Sequence, residues 1–236
     1  MTSQSMIFSF HSTVYEIPNT LIQTMKALII SDLHISQYHP SYVSIPDLLI
    51  RISSLVVKHD ANTILILGDV FEGFSDKWED DSKRFFDGLN NIPVTTFIIL
   101  GNHDRNIQQN IMQYVQYSNI CCITDLLFKM TLDIVPNDSI STIFFAHDIG
   151  NNLALMDQEV PLFINGLKEA FSNIIKPKDF LLIGHTHRSR IYKDTRCGSI
   201  STFSYDCGYK EYAILRAENT GFHIDFYRKD KLEESI

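Results

Sequence analysis

The chain has 236 residues, is 44% hydrophobic and carries a formal net charge of −8. That supports one substantial core and argues against a surface built for broad phosphate-backbone binding, which needs clustered Lys and Arg. The apolar runs fall far short of the roughly 18 residues that span a bilayer, and the start Met1-Thr2-Ser3-Gln4-Ser5 has no basic region. The expectation is a single cytoplasmic domain over 1–236 with no membrane partner: N-terminal strands over 1–25, a core over 26–227 and a charged tail over 228–236. Cys121, Cys122, Cys197 and Cys207 show no C-x-x-C spacing and read as reduced thiols.

Residues 6–17 alternate loosely and predict one or two short strands. Ala27-Leu28-Ile29-Ile30 then runs into Ser31-Asp32-Leu33-His34. Leu48, Leu49, Ile52, Leu55 and Val56 recur at helical spacing and predict a helix over 46–59. Ile64-Leu65-Ile66-Leu67 runs into Gly68-Asp69, and Phe85, Phe86 and Leu89 mark a second helix that stops near Pro93. Phe97-Ile98-Ile99-Leu100 leads into Gly101-Asn102-His103-Asp104, and residues 106–117 pattern as a third helix. From Asn119 the pattern is stranded, and Ile143-Phe144-Phe145-Ala146 ends in His147-Asp148. A fourth helix is expected over about 160–175, before Pro177. Phe180-Leu181-Leu182-Ile183 then ends in Gly184-His185-Thr186-His187, followed by antiparallel strands and a charged tail expected to fray.

Short, continuous apolar runs read as strands buried on both faces, and open α/β sheets place their chemistry beyond the carboxyl ends of such strands. Five strand ends thus deliver Asp32, His34, Asp69, Asn102, His103, His147, His185 and His187 to one edge. Five of the nine histidines lie in these motifs. Carboxylates, a carboxamide and imidazoles without thiolate suit divalent Mn²⁺, Fe, Zn²⁺ or Mg²⁺.

In order, Asp-x-His, Gly-Asp, Gly-Asn-His-Asp, a later His and Gly-His-x-His, the motifs resemble the calcineurin-like metallophosphoesterase superfamily, from about Ala27 to Ser199. The resemblance implies an α/β fold, a four-layer α/β/β/α sandwich of two mixed sheets flanked by helices. It implies two divalent metal ions, Mn²⁺ foremost, with Asp32, His34 and His187 on one, Asn102, His147 and His185 on the other, and Asp69 bridging. His103 would donate a proton to the leaving group, with Asp104 orienting it. The activity implied is hydrolysis of a small phosphomonoester or phosphodiester, a nucleotide among the candidates, by direct attack of water activated between the metals. Arg105, Arg188 and Arg190 adjoin the motifs and are candidate phosphate contacts.

Many relatives have Gly after the fourth motif's His, where this chain has Asp148. Gly68-Asp69-Val70-Phe71-Glu72 and Gly184-His185-Thr186-His187-Arg188 look like UDP-diacylglucosamine pyrophosphohydrolases, yet those carry Arg at the position of His103. They also insert a lipid-binding lid where this chain has only 37 residues between His147 and His185. The alternatives are a nuclease of the same superfamily, disfavoured by the acidic balance, and a noncatalytic scaffold like the retromer subunit of this fold.

Overall fold

Alternation within each central strand sorts its side chains onto two faces, and that sorting builds the layers. In this computed structural model, Leu28, Ile30, Ile64, Ile66 and Ile98 face one core, while Ala27, Ile29, Leu65, Leu67, Phe97 and Ile99 face another. The structure describes residues 14–17, 19–36, 43–72, 78–105, 111, 117–125, 127–133, 135–136, 139–147, 165–166, 168–169, 171–187, 189–203 and 211–236.

The strands are β1 (Val14–Glu16), β2 (Lys26–Ile30), β3 (Thr63–Leu67), β4 (Thr95–Ile99), β5 (Ile120–Ile123), β6 (Leu127–Thr131), β7 (Thr142–Ala146), β8 (Phe180–Ile183), β9 (Arg190–Tyr192), β10 (Cys197–Ser199), β11 (Glu211–Glu218), β12 (Gly221–Arg228) and β13 (Lys231–Ser235). The helices are α1 (Asn19–Ile22), α2 (Ile45–His59), α3 (Trp78–Asn90) and α4 (Asn102–Arg105). One sheet runs β13-β12-β11-β2-β3-β4-β5 and the other β1-β6-β7-β8-β10-β9. Both are mixed: β2 to β5 are parallel neighbours and β11 is antiparallel to β2, while β7 is parallel to β8 and antiparallel to β6.

The middle core lies between the sheets, with Phe97, Phe128 and Phe145 in a row of rings 5.4 and 5.6 Å apart. Helices α2 and α3 cover the outer face of the seven-stranded sheet through Leu48, Ile52, Leu55, Phe85, Phe86 and Leu89. Phe171, Ile174 and Ile175 cover the other sheet against Phe144, Leu181 and Ile183. This is the four-layer α/β/β/α sandwich. Ser44 caps α2 by accepting from Asp47 N at 3.3 Å, and Asp60 ends it in the left-handed region.

Where the sequence suggested a fraying tail, Lys231–Ser235 pairs antiparallel with β12. Its charge is that of an edge strand, where Lys and Glu discourage further pairing. In the N-terminal stretch, β1 is a strand, Asn19–Ile22 is a helical turn, and residues 1–13 lie outside the described residues. The helix expected over 106–117 lies largely outside them too; of that expected over 160–175, residues 165–166 and 168–169 are helical. Cys121, Cys122 and Cys197 are free and buried. No helix among the described residues is long and apolar enough to cross a membrane.

Candidate metal centre

The turns after β2, β3 and β8 carry the motif residues in backbone conformations that side chains usually avoid. Of nine non-glycine residues with positive φ among those described, five are Asp32, His34, Asp69, His185 and His187. Such strain collects at functional sites, where the surrounding fold holds it in place. Glycines make room for the same crowding. A Cβ on Gly101 would stand 2.1 Å from Asp69 Oδ1, and one on Gly68, itself at φ +82°, 2.4 Å from the His147 ring.

Both central carboxylates present one oxygen and have the other tied. Asp32 Oδ2 accepts from Ser31 Oγ at 2.5 Å and His185 N at 3.1 Å. Among the described residues its Oδ1 has no hydrogen bond, although His187 Nε2 lies 3.2 Å away. Asp69 Oδ1 accepts from His103 N at 2.9 Å, leaving Oδ2 at 3.1 Å from His147 Nε2, 3.9 Å from His34 Nε2 and 4.0 Å from His103 Nε2. His147 Nδ1 sits 2.6 Å from Leu67 O. A donor there leaves Nε2 of the neutral ring as a lone pair facing Asp69 and, at 3.2 Å, Asn102 Oδ1. Three acceptors pointing at one place fit a cation.

Asp32, His34 and His187 offer ligand atoms within 4.8 Å of one another, and so do Asp69, His147 and His185. Asn102 joins the second group through His147, and Asp69 Oδ2 faces both. His34 Nε2 and His187 Nε2 stand 3.2 Å apart, two ring nitrogens converging. Asp32, Asp69 and His147 are almost completely buried. For His147, burial alone would lower the imidazole's pKa; Asp69 beside it and the charge of Asp32 outweigh this and lift it to about 9. For Asp69, burial is likewise overcome, by His147 and the His103 N–H, and its pKa falls to about 2. Both carboxylates therefore draw positive charge, from protons or from metal.

His103 stands at the rim, its side chain 30% exposed. The carboxylate nearest its ring is that of Glu72, with Oε1 3.1 Å from Nδ1. Asp104, expected to orient His103, is occupied elsewhere. Its oxygens accept from Val70 N, Phe71 N and Gly101 N at 3.0–3.1 Å, pinning the turn after β3 to that after β4. Burial and the charge of Asp69 raise its carboxyl to about 6, so it is ionised at neutral pH, as three N–H donors require. Glu72 contacts His34 as well, with Oε2 2.8 Å from Nδ1. In the sequence it is the acidic residue that closes Gly68-Asp69-Val70-Phe71-Glu72, three positions after Asp69. Arg190 is exposed on β9, its guanidinium 5.6 Å above the Tyr192 ring, and lines a separate cleft with Glu211 and Arg228. The side chain of Arg105, and Arg188 altogether, lie outside the described residues.

A family model described as Calcineurin-like phosphoesterase matches residues 25–225. The chain belongs to the calcineurin-like phosphoesterase family. The match takes in every strand-end motif, and the family is hydrolytic and metal-dependent. No curated protein matches. Among solved structures, a dimetal phosphatase from Danio rerio aligns at 11% identity and a TM-score of 0.51, over 91% of this chain and 99% of that one. The Pseudomonas putida nuclease MPE aligns at 16% identity and 0.42, over 81% and 84%. The Haemophilus influenzae NAD nucleotidase aligns at 12% and 0.45, over 89% of this phosphoesterase chain and 49% of that one. At these identities the likeness is one of fold.

Proposed function

We propose that this protein is a dinuclear metal-dependent phosphohydrolase acting on a small phosphomonoester or phosphodiester, a nucleotide among the candidates. The observation that carries this reading is the matched pair Asp32 and Asp69. Each has one oxygen held by protein donors and the other turned toward imidazole nitrogens, with an acid-competent His103 beside them.

Asp32, His34 and His187 would hold one ion, Asn102, His147 and His185 the other, with Asp69 shared. Two divalent cations, Mn²⁺ foremost on the family resemblance, would supply Lewis acidity, charge neutralisation at the phosphoryl oxygens and a water of lowered pKa. Ser31 Oγ and His185 N fix Asp32, and the Leu67 carbonyl fixes His147, so the ligand set is held before anything binds. The contact with Glu72 raises the pKa of His103 against its partial burial, which favours the protonated ring. Glu72 Oε1 lies 3.1 Å from Nδ1, and the proton on Nε2 would pass to the departing oxygen, leaving a neutral ring protonated at Nδ1 beside that carboxylate.

Protein loaded with Mn²⁺ is expected to cleave bis-p-nitrophenyl phosphate, p-nitrophenyl phosphate or both. Failure on both substrates, with two metals per chain shown by elemental analysis, would sink the reading.

A further inference from the structure

Of the residues assigned to the two metals, His187 is the exposed one, its side chain 46% accessible while those of Asp32, His34, Asp69 and His147 are at 4% or below. Packing encloses this ring least, so its place depends most on its backbone. That backbone lies between β8 and β9, outside both strands, and passes through the left-handed region at His185 and His187, φ +65° and +52°. Such a turn costs free energy unless its neighbours hold it.

The neighbour that does so is the stretch after β10. Ser201, 1% exposed, donates from Oγ to the His187 carbonyl at 2.7 Å. Its N–H donates to Ser189 Oγ at 3.0 Å, so one serine grips the turn at two points. Ser189 is fixed in its turn: its N–H donates to Oε2 of the buried Glu211 at 2.9 Å, and Arg228 Nε donates to the other oxygen of that carboxylate at 2.6 Å.

Ser201 is also tied to the strand that carries Asp32. Thr202 pairs with Ser31, and Phe203 N donates to Ser31 O at 3.0 Å. Arg51 clamps this end, donating to Phe203 O at 3.1 Å with its guanidinium 4.1 Å from the centre of the Phe203 ring. Ser31 leads directly into Asp32, whose Oδ1 faces His187 Nε2 at 3.2 Å. β2 belongs to the seven-stranded sheet and β8, β9 and β10 to the other. The path from His187 through Ser201, Phe203 and Ser31 to Asp32 therefore sets the spacing of two ligands that come from different sheets.

We propose that Ser201 is a positioning residue for the ion assigned to Asp32, His34 and His187: its hydroxyl holds the His187 carbonyl and so keeps an exposed imidazole on that ion. The inference rests on the dinuclear reading above. Partners hydrogen-bonded behind metal ligands govern affinity by about 10- to 100-fold. The other ion does not depend on this hydroxyl, because His147 is held at Leu67 O and His185 N at Asp32 Oδ2.

The test is equilibrium dialysis of the chelator-stripped full chain against Mn²⁺, with bound metal counted by elemental analysis and folding checked by circular dichroism. Wild type is expected to take up two ions. Ser201→Ala should keep one at wild-type affinity and bind the other about 10- to 100-fold more weakly, with turnover returning as Mn²⁺ is raised. Ser201→Thr retains the hydroxyl and should bind the weakened ion more tightly than Ser201→Ala does. Ser82→Ala, which removes a buried hydroxyl from α3 that donates to Glu79 O, should bind both ions as wild type does. Unchanged affinity for both ions in Ser201→Ala, equal weakening of both, or a Thr variant as weak as Ala would each overturn the proposal. A wild type that binds fewer than two ions would overturn the dinuclear reading along with it.

Discussion

Glu72 stands between two imidazoles, its Oε2 2.8 Å from Nδ1 of His34 and its Oε1 3.1 Å from Nδ1 of His103. One carboxylate thereby orients both a predicted metal ligand and the predicted acid. The contacts with His103 and His34 pull its own pKa far below the usual carboxylate range, and contact with it pushes that of His103 up.

Glu72→Gln should therefore act on the pH profile as well as the rate. His103 donates a proton, so its raised pKa extends activity toward alkaline pH; without the carboxylate that limb should move to lower pH. Turnover at pH 7.5 should fall about 10- to 100-fold, as for other partners that orient ligands. The measurement is kcat against pH on bis-p-nitrophenyl phosphate, and an alkaline limb that superimposes on the wild type would refute the role.

His103→Ala should separate leaving groups. An alkoxide needs a proton to depart, so kcat on an alkyl phosphate ester should drop about 10²- to 10⁴-fold. A p-nitrophenolate leaves without that help, and the loss there should be smaller. His103 contributes its backbone N–H to Asp69, and the substitution keeps that group, so metal content by elemental analysis should not change. Equal losses on both substrates would remove His103 from proton transfer.

The layers and the site were legible for the same reason. Strands such as Ile64–Leu67, buried on both faces, must be apolar throughout, so the first polar residues after them mark the edge where chemistry collects. Glu72 was not legible as a partner of His103 and His34, because it lies 31 and 38 positions from them and only folding brings it there. Asp104 misled for a related reason. Adjacency to His103 suggested a side-chain partner, whereas its burial beneath two turns gives it three backbone N–H groups instead. The strand Lys231–Ser235 hid behind its charge, since an edge strand needs backbone pairing on one side only.

Gly101→Ala should empty the centre without unfolding the sandwich. The new Cβ would lie 2.1 Å from Asp69 Oδ1 and 2.3 Å from Asp69 N, so the shared carboxylate has to move. Bound metal should fall below one ion per chain and turnover with it, while far-UV circular dichroism stays unchanged. Retention of two ions would show that Asp69 need not sit where it does.

His59, remote from the metals, should set part of the acid sensitivity of the fold. Its Nε2 lies 3.0 Å from the hydroxyl of Tyr212, which donates onward to Asp230, so the ring is the donor in that pair. It also packs edge-on against Tyr212 and Tyr227, which stack 4.9 Å apart. Burial, then the charges of Lys58 and Lys26, lower its pKa from 6.5. The native state thus favours the neutral ring. Its contribution is complete above pH 6.5, the value in the unfolded chain, and is lost as pH falls through the lower folded value. His59→Gln does not titrate, so the stability gap between wild type and variant in urea unfolding should narrow between pH 7.5 and pH 5. Other titrating groups are common to both proteins and cancel in the difference. A gap that holds constant or widens toward acid would show that His59 is not held neutral by its surroundings.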